Sequence, residues 1–352
     1  MIYIKVLVTG GLGYIGSHTC VELLNNGYEV VIVDNLYNST IDVLQKIEKI
    51  TGKKVDFYDF DVCSYEAMDT VFSENKIEAV IHFAAYKAVG ESVKEPIKYY
   101  QNNLLATLNL CKVMLKYDCQ RLIFSSSATV YGKVRSLPIK EDAPLSTTNP
   151  YGSTKLMNEE ILADICKANP NFSVVVLRYF NPIGAHKSGL LGENPKGIPN
   201  NLMPYIMRVA ANNEREEKEQ VAEYKYVKVF GDSYDTSDGT GVRDYIHVVD
   251  LARGHLLAME KCFNSLGIDF YNLGTGKGYS VLDLINTYEK VNNVKVPYKI
   301  VAKRDGDIAA CYADTNKAFK ELGFKALYGI DDMCRDSYLY QKNYIKEHGE
   351  IF

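Results

Sequence analysis

Seven residues near the N-terminus limit the folds open to this chain more than any other stretch. Lys5-Val6-Leu7-Val8-Thr9 is a short β-branched run that stops at Gly10-Gly11-Leu12-Gly13-Tyr14-Ile15-Gly16, after which Ser17 to Asn25 reads as helix. The next apolar run, Val30 to Val33, ends in Asp34 and completes a βαβ unit of roughly 30 residues. Glycines at 10, 13 and 16 allow a tight turn and close backbone approach, so the helix N-terminus can meet a pyrophosphate. Asp34 stands where a carboxylate accepts hydrogen bonds from a ribose diol. Its charge would repel a 2′-phosphate, so NAD is expected rather than NADP.

Further apolar runs at Val55 to Tyr58, Ala79 to Phe83, Arg121 to Phe124 and Val174 to Leu177 are separated by helix-length amphipathic segments. This alternation predicts an α/β fold of Rossmann type, a doubly wound parallel sheet covered on both faces. Ligands of such sheets bind outside the carboxyl ends of the strands. Asp61, Phe83-Ala84-Ala85, Ser125 to Ser127 and Arg178-Tyr179-Phe180-Asn181 should therefore line one crevice. After Asn181 the rhythm changes to a Gly-, Pro- and Asn-rich stretch with one helix from Asn201 to about Asn213. The run Glu214 to Glu219 reads as a solvated surface excursion. Helix and strand signals then resume. The expected organisation is a dinucleotide-binding domain over 1–181 and a smaller C-terminal α/β substrate lobe over 182–352, with some elements crossing between them.

The 352 residues, 47 % hydrophobic, can fill a sizeable core, and a formal charge of −4 without a basic stripe argues against nucleic acid as partner. Eight cysteines form no metal or disulfide framework, no metal is expected, and no apolar run approaches the length of a membrane span. A soluble cytoplasmic protein is the expectation.

The stretch Ser125-Ser126-Ser127-Ala128-Thr129-Val130-Tyr131-Gly132 is followed by Tyr151-Gly152-Ser153-Thr154-Lys155. If Tyr151 opens a helix, Lys155 lies one turn on and sets an ammonium beside a phenol. A fixed cation draws a phenol pKa down from about 10 toward the range where a base is useful.

The glycine turn, the serine run, Tyr151-x3-Lys155 and Arg243-Asp244-Tyr245-Ile246-His247-Val248-Val249-Asp250 together resemble the extended short-chain dehydrogenase/reductase family. The similarity continues through Lys87-Ala88-Val89-Gly90-Glu91-Ser92, Pro199 to Tyr205 and Asp238 to Arg243, and it is strongest to the members that epimerise UDP-sugars at C4. The resemblance implies an isomerase of galactose metabolism that interconverts UDP-galactose and UDP-glucose through a 4-keto intermediate, with NAD regenerated in each cycle. It implies Tyr151 as base, Lys155 as the lysine on the nicotinamide ribose, and Ser127 as the hydroxyl bridging sugar and base. For NAD it implies Gly10, Gly13, Tyr14, Ile15, Gly16, Asp34, Asn35, Asn38, Ser39, Asp61, Val62, Phe83, Ala84, Lys87, Asn102, Ser125 and Tyr179. For the UDP-sugar it implies Asn181, Asn201, Leu202, Phe230, Arg243, Tyr245, Arg304, Asp307 and Cys311, with the two arginines on the phosphates. His247 is read as structural. A homodimer through helices near Pro96 to Tyr117 and Tyr151 to Ala168 is also implied.

Related dehydratases resemble one another in placing Asp-Glu just after the serine, and decarboxylases place a Glu nearby. Here those positions hold Ala128 and Thr129, which favours simple oxidation and return at C4 over other UDP-sugar modifications. A dinucleotide sensor without turnover is the remaining alternative, and such proteins lose the tyrosine or lysine. The family has either a tyrosine or a small residue at Cys311, against the sugar C2 substituent. Cysteine leaves room for an acetamido group, so activity on UDP-N-acetylglucosamine and UDP-N-acetylgalactosamine is expected.

Overall fold

The structure, a computed structural model, describes residues 4–133, 136–304 and 307–349. The first half runs β1 (Lys5–Thr9), α1 (Tyr14–Asn25), β2 (Glu29–Val33), α2 (Asp42–Thr51), β3 (Asp56–Tyr58), α3 (Tyr65–Glu74), β4 (Ala79–His82), α4 (Val89–Lys94), α5 (Pro96–Lys116), β5 (Arg121–Ser127), α6 (Pro150–Ala168) and β6 (Ser173–Tyr179). The second runs β7 (Asn181–Ile183), α7 (Leu202–Asn213), β8 (Val227–Phe230), β9 (Val242–His247), α8 (Val248–Asn264), β10 (Gly267–Leu273), β11 (Gly278–Ser280), α9 (Val281–Asn292), β12 (Tyr298–Val301), β13 (Ala310–Cys311), α10 (Asn316–Leu322) and α11 (Ile330–His348).

Seven strands form one parallel sheet in the order β10-β6-β5-β4-β1-β2-β3. Alternate residues face opposite sides, so Val6 and Val8 meet α1 and α8 in one core while Leu7 joins α3, α5 and α6 in the other. Each fully buried aliphatic side chain contributes roughly 1.5–3 kcal/mol, which favours strands that are apolar on both faces. Strand order reverses between β1 and β4, and there the crevice opens. Three elements from beyond residue 181, α8, β10 and α10, pack with this layer system. The apolar periods of Asp250 to Met259 and Phe270 to Leu273 showed the elements without showing where they dock.

The other lobe is built on β9. It pairs in parallel with β7 and β13 and antiparallel with β11, while β8 and β12 form a separate two-stranded sheet. Its core gathers residues of α7, α9 and α11. The 214–219 run is largely exposed, as the charge pattern implies.

Candidate active site

At the β1/β4 reversal the backbone is packed so closely that side chains are excluded. Gly10 sits at φ 69, and a Cβ there would lie 2.9 Å from the Ala84 amide nitrogen, while one on Gly16 would lie 2.2 Å from the Gly10 carbonyl oxygen. Helix α1 starts at Gly13 without a side-chain cap, leaving its first amides for a ligand. Asp34, buried at the end of β2, accepts hydrogen bonds from the Leu12 amide at 3.0 Å, the Leu36 amide at 3.0 Å and the Ser39 hydroxyl at 2.7 Å. Three of the carboxylate's roughly four acceptor sites are thus used, and one remains for a ribose hydroxyl.

The cleft opening here has a volume of about 940 Å³, near the upper end of ligand pockets. Every NAD residue implied by the resemblance lies in its wall, from Gly10 through Asn102 to Tyr179, together with Ser127, Tyr151, Asn181 and Asn201. The glycine cradle, uncapped helix and partly satisfied Asp34 fit a dinucleotide. Within this set, the Asn35 amide donates to Asp61 at 3.1 Å, and the Tyr14 hydroxyl reaches across to the Gly184 carbonyl at 2.7 Å, so that ring also joins the lobes.

The opposite wall is made by the end of β5 and the start of α6. Asn149 caps α6 by accepting from the Gly152 amide at 2.9 Å, and Pro150 enters at the first turn, where its missing N–H costs nothing. Tyr151, Lys155 and Glu159 then follow one another at four-residue intervals along one face. Lys155 is buried, donates to the Ser125 carbonyl at 2.6 Å, and lies 6.0 Å from the centre of the Tyr151 ring. Burial lowers its pKa to about 8, with Glu159 opposing the shift. The Tyr151 phenol is raised above 10.0 by burial, and a hydrogen bond with Ser127 pulls the other way. The expectation of a phenol drawn down by Lys155 is therefore not met by the protein alone: desolvation dominates, and the ammonium is turned to a backbone carbonyl.

Arg178, expected at the crevice, points to the far side of the sheet. It forms a buried pair with Glu159, Nε to Oε1 at 3.0 Å and Nη2 to Oε2 at 2.6 Å, and Glu159 also accepts from Ser126 at 2.5 Å. Strand alternation explains the correction, because Tyr179 faces the cleft and its neighbour cannot. This pair fixes α6 against β5 and β6. Its signal in the sequence was the carboxylate four residues beyond Lys155.

The other residues expected to hold a UDP-sugar lie apart from the cleft wall. Arg304 pairs with Asp307 at 2.8 Å and stands 4.6 Å over the Phe230 ring, which brings those three together. Arg243 donates to the Val242 and Ile308 carbonyls at 2.8 and 3.0 Å, and Cys311 is its register partner on β13. Tyr245 pairs with Asn181 of β7 but is buried in the lobe's core, against which Leu202 also packs. Asp244, between them, was not singled out from sequence. It is fully buried and accepts from Thr275, Gly276 and Ala313, fixing the loops that frame β9. His247 is buried too, accepting from the Val249 amide and facing Asp336 at 3.2 Å, a helix-capping role.

Residues 6–274 match the model of the NAD dependent epimerase/dehydratase family. The UDP-glucose 4-epimerase of Bacillus subtilis (strain 168) is 57 % identical over 338 residues, which cover 96 % of this chain and 97 % of that one. Among solved structures, the UDP-glucose 4-epimerase from Bifidobacterium longum in complex with NAD+ and UDP superposes with a TM-score of 0.90 at 56 % identity, covering 96 % of this chain and 98 % of that one. The UDP-Glc/GlcNAc 4-epimerase from Campylobacter jejuni gives a TM-score of 0.81 at 32 % identity, covering 97 % and 99 %. With the family model matching residues 6–274, this extent of identity and a superposition over nearly the whole chain, the chain belongs to the NAD dependent epimerase/dehydratase family, and within it to the UDP-glucose 4-epimerases.

Proposed function

We propose that this protein interconverts UDP-galactose and UDP-glucose by epimerisation at C4, and acts on the N-acetylated pair as well. The observation that carries the reading is that Ser127, Tyr151 and Lys155 share one cleft with the glycine turn and Asp34. The turn, Asp34 and Lys155 would hold NAD, which would supply the acceptor for the C4 hydride. Tyr151 takes the proton from the sugar 4-hydroxyl, and Ser127 bridges that oxygen and the phenol. Lys155, one helical turn from the phenol and anchored on the Ser125 carbonyl, is placed to hold the nicotinamide ribose. Arg243 and Arg304 hold the diphosphate by their forked donors, which leaves the sugar free to present its other face. Ala128 and Thr129 offer no second acid or base, so nothing diverts the keto sugar to elimination.

Cys311 beside Arg243 supports the wider substrate range by its size. A homodimer fits the exposed Ile97, Leu105, Leu108 and Leu115, which lie close to one stripe of α5, and the exposed Met157 of α6. All eight cysteines are free thiols, in keeping with a reducing cytoplasm.

The test is a panel of the four UDP-sugars with purified protein and no added NAD, run on the wild type and Cys311→Tyr. Turnover of all four by the wild type is expected, with the N-acetyl reactions at least about tenfold weaker in the variant and the others largely spared. Equal losses on both pairs would remove Cys311 as the gate. Folded, NAD-loaded protein without turnover would favour the sensor.

A further inference from the structure

One stretch of the substrate lobe lies along the cofactor cleft rather than the sugar side, and its polar ties run both ways. The segment from Glu193 to Asn201 contributes Glu193, Lys196 and Asn201 to the cleft wall. From behind, Arg208 of α7 donates to the carbonyls of Gly197 at 2.5 Å and Pro195 at 2.9 Å. In front, Lys196 Nζ donates to the carbonyls of Leu36 and Tyr37 at 2.9 and 3.0 Å. Those carbonyls belong to the loop that Asp34 folds by accepting from the Leu36 amide, and Leu36 is held at φ 55, a conformation few non-glycine residues adopt.

Glu193 makes the second tie. Its Oε1 accepts from Lys87 Nζ at 3.3 Å and from Asn201 Nδ2 at 2.6 Å, so one oxygen joins the loop after β4 to the residue that precedes α7. Glu193 is only 7 % exposed, and its Oε2 is buried without a hydrogen-bond partner among the described residues. A buried carboxylate is costly unless it is paired, and this one is only half satisfied. Glu193 and Lys196 thus clip one segment to both loops that flank the glycine turn.

We propose that residues 193–201 form a latch on the cofactor cleft, with Glu193 and Lys196 as the positioning residues that keep it closed and so set the rate at which NAD leaves. The latch rests on the NAD reading above. Its closed state is held by contacts between protein groups, and the cofactor leaves when Lys196 lets go of the 36–37 carbonyls and Glu193 releases Lys87. Because Asn201 shares the Glu193 oxygen, the start of α7 moves with the latch.

The experiment measures NAD release from the purified holoenzyme after mixing with excess charcoal, in the wild type and in Lys196→Met, Lys196→Arg and Glu193→Gln. Lys196→Met is expected to release NAD about tenfold faster, having lost two charge-assisted hydrogen bonds. Lys196→Arg should restore slow release, since a guanidinium can serve both carbonyls. Glu193→Gln should also accelerate release, because the neutral amide loses the ion pair with Lys87. The NAD-stripped Lys196→Met protein should unfold within about 2 °C of the stripped wild type, because the side chain is exposed. Wild-type release rates in both Lys196→Met and Glu193→Gln would overturn the latch while leaving the NAD reading intact. A wild type that binds no NAD would overturn the NAD reading and the latch with it.

Discussion

Burial works against the charge on Lys155, and Glu159, one turn further along α6, works for it. The balance lowers the ammonium's pKa from 10.5 to about 8. Between those values the unfolded chain holds a proton that the folded protein has shed, so this group makes stability rise with pH from about 8 to 10.5. Below about pH 8 both states are protonated, and the cost of the buried charge is constant. Lys155→Met should lack that rise, so the gap between the two pH profiles should change from about pH 8 to 10.5, measured by denaturant unfolding of NAD-free protein from pH 7 to 10.5. Parallel profiles would show that Lys155 keeps its proton throughout. Burial likewise raises the Tyr151 phenol, and its hydrogen bond with Ser127 opposes that shift.

At the scale of elements, the turn between β1 and α1 decides whether a cleft exists. A methyl on Gly16 would lie 2.2 Å from the Gly10 carbonyl, backbone that cannot step aside. Gly16→Ala should therefore cost about 1–3 kcal/mol and abolish retention of NAD, read by chemical denaturation and by the nucleotide content of purified protein. Gly90→Ala is the control: it lies in α4, has open space around its Cβ position, and should be neutral or slightly stabilising. The elements were largely legible in the sequence where their signals are local. The glycine spacing, Asp34 closing β2, and Tyr151 with Lys155 one turn apart each need only a short window of chain. Glu159 was equally visible at the next turn but reads as an ordinary surface carboxylate until Arg178 is seen across from it. Asp244 and Glu193 were not legible at all, because their partners are brought from distant segments, such as Thr275 and Ala313 in one case and Lys87 in the other.

For the whole molecule, periodicity identified α8 and β10 without showing that they return to the large sheet, since docking depends on which edge remains open. The same limit applies to α5, where an apolar stripe facing a partner looks like one facing a core. The structure leaves Ile97 72 % exposed and Leu108 46 % exposed. On the proposed contact the wild type is expected to sediment as a dimer and the double variant Ile97→Glu, Leu108→Glu as a monomer, with its far-ultraviolet circular dichroism unchanged. A wild type that is already monomeric would refute the proposed α5–α6 contact.

The placement of β10 beside β6 bears on how the chain is made. Strand β6 runs from Ser173 to Tyr179 and is paired along its whole length with residues 267–273, which leave the ribosome almost a hundred residues later. Until then the sheet ends in a long apolar edge, the kind of surface that invites pairing with other chains. The seven-stranded sheet therefore cannot be completed as it emerges, and about half of the chain beyond residue 181 must be synthesised before its last strand is in place.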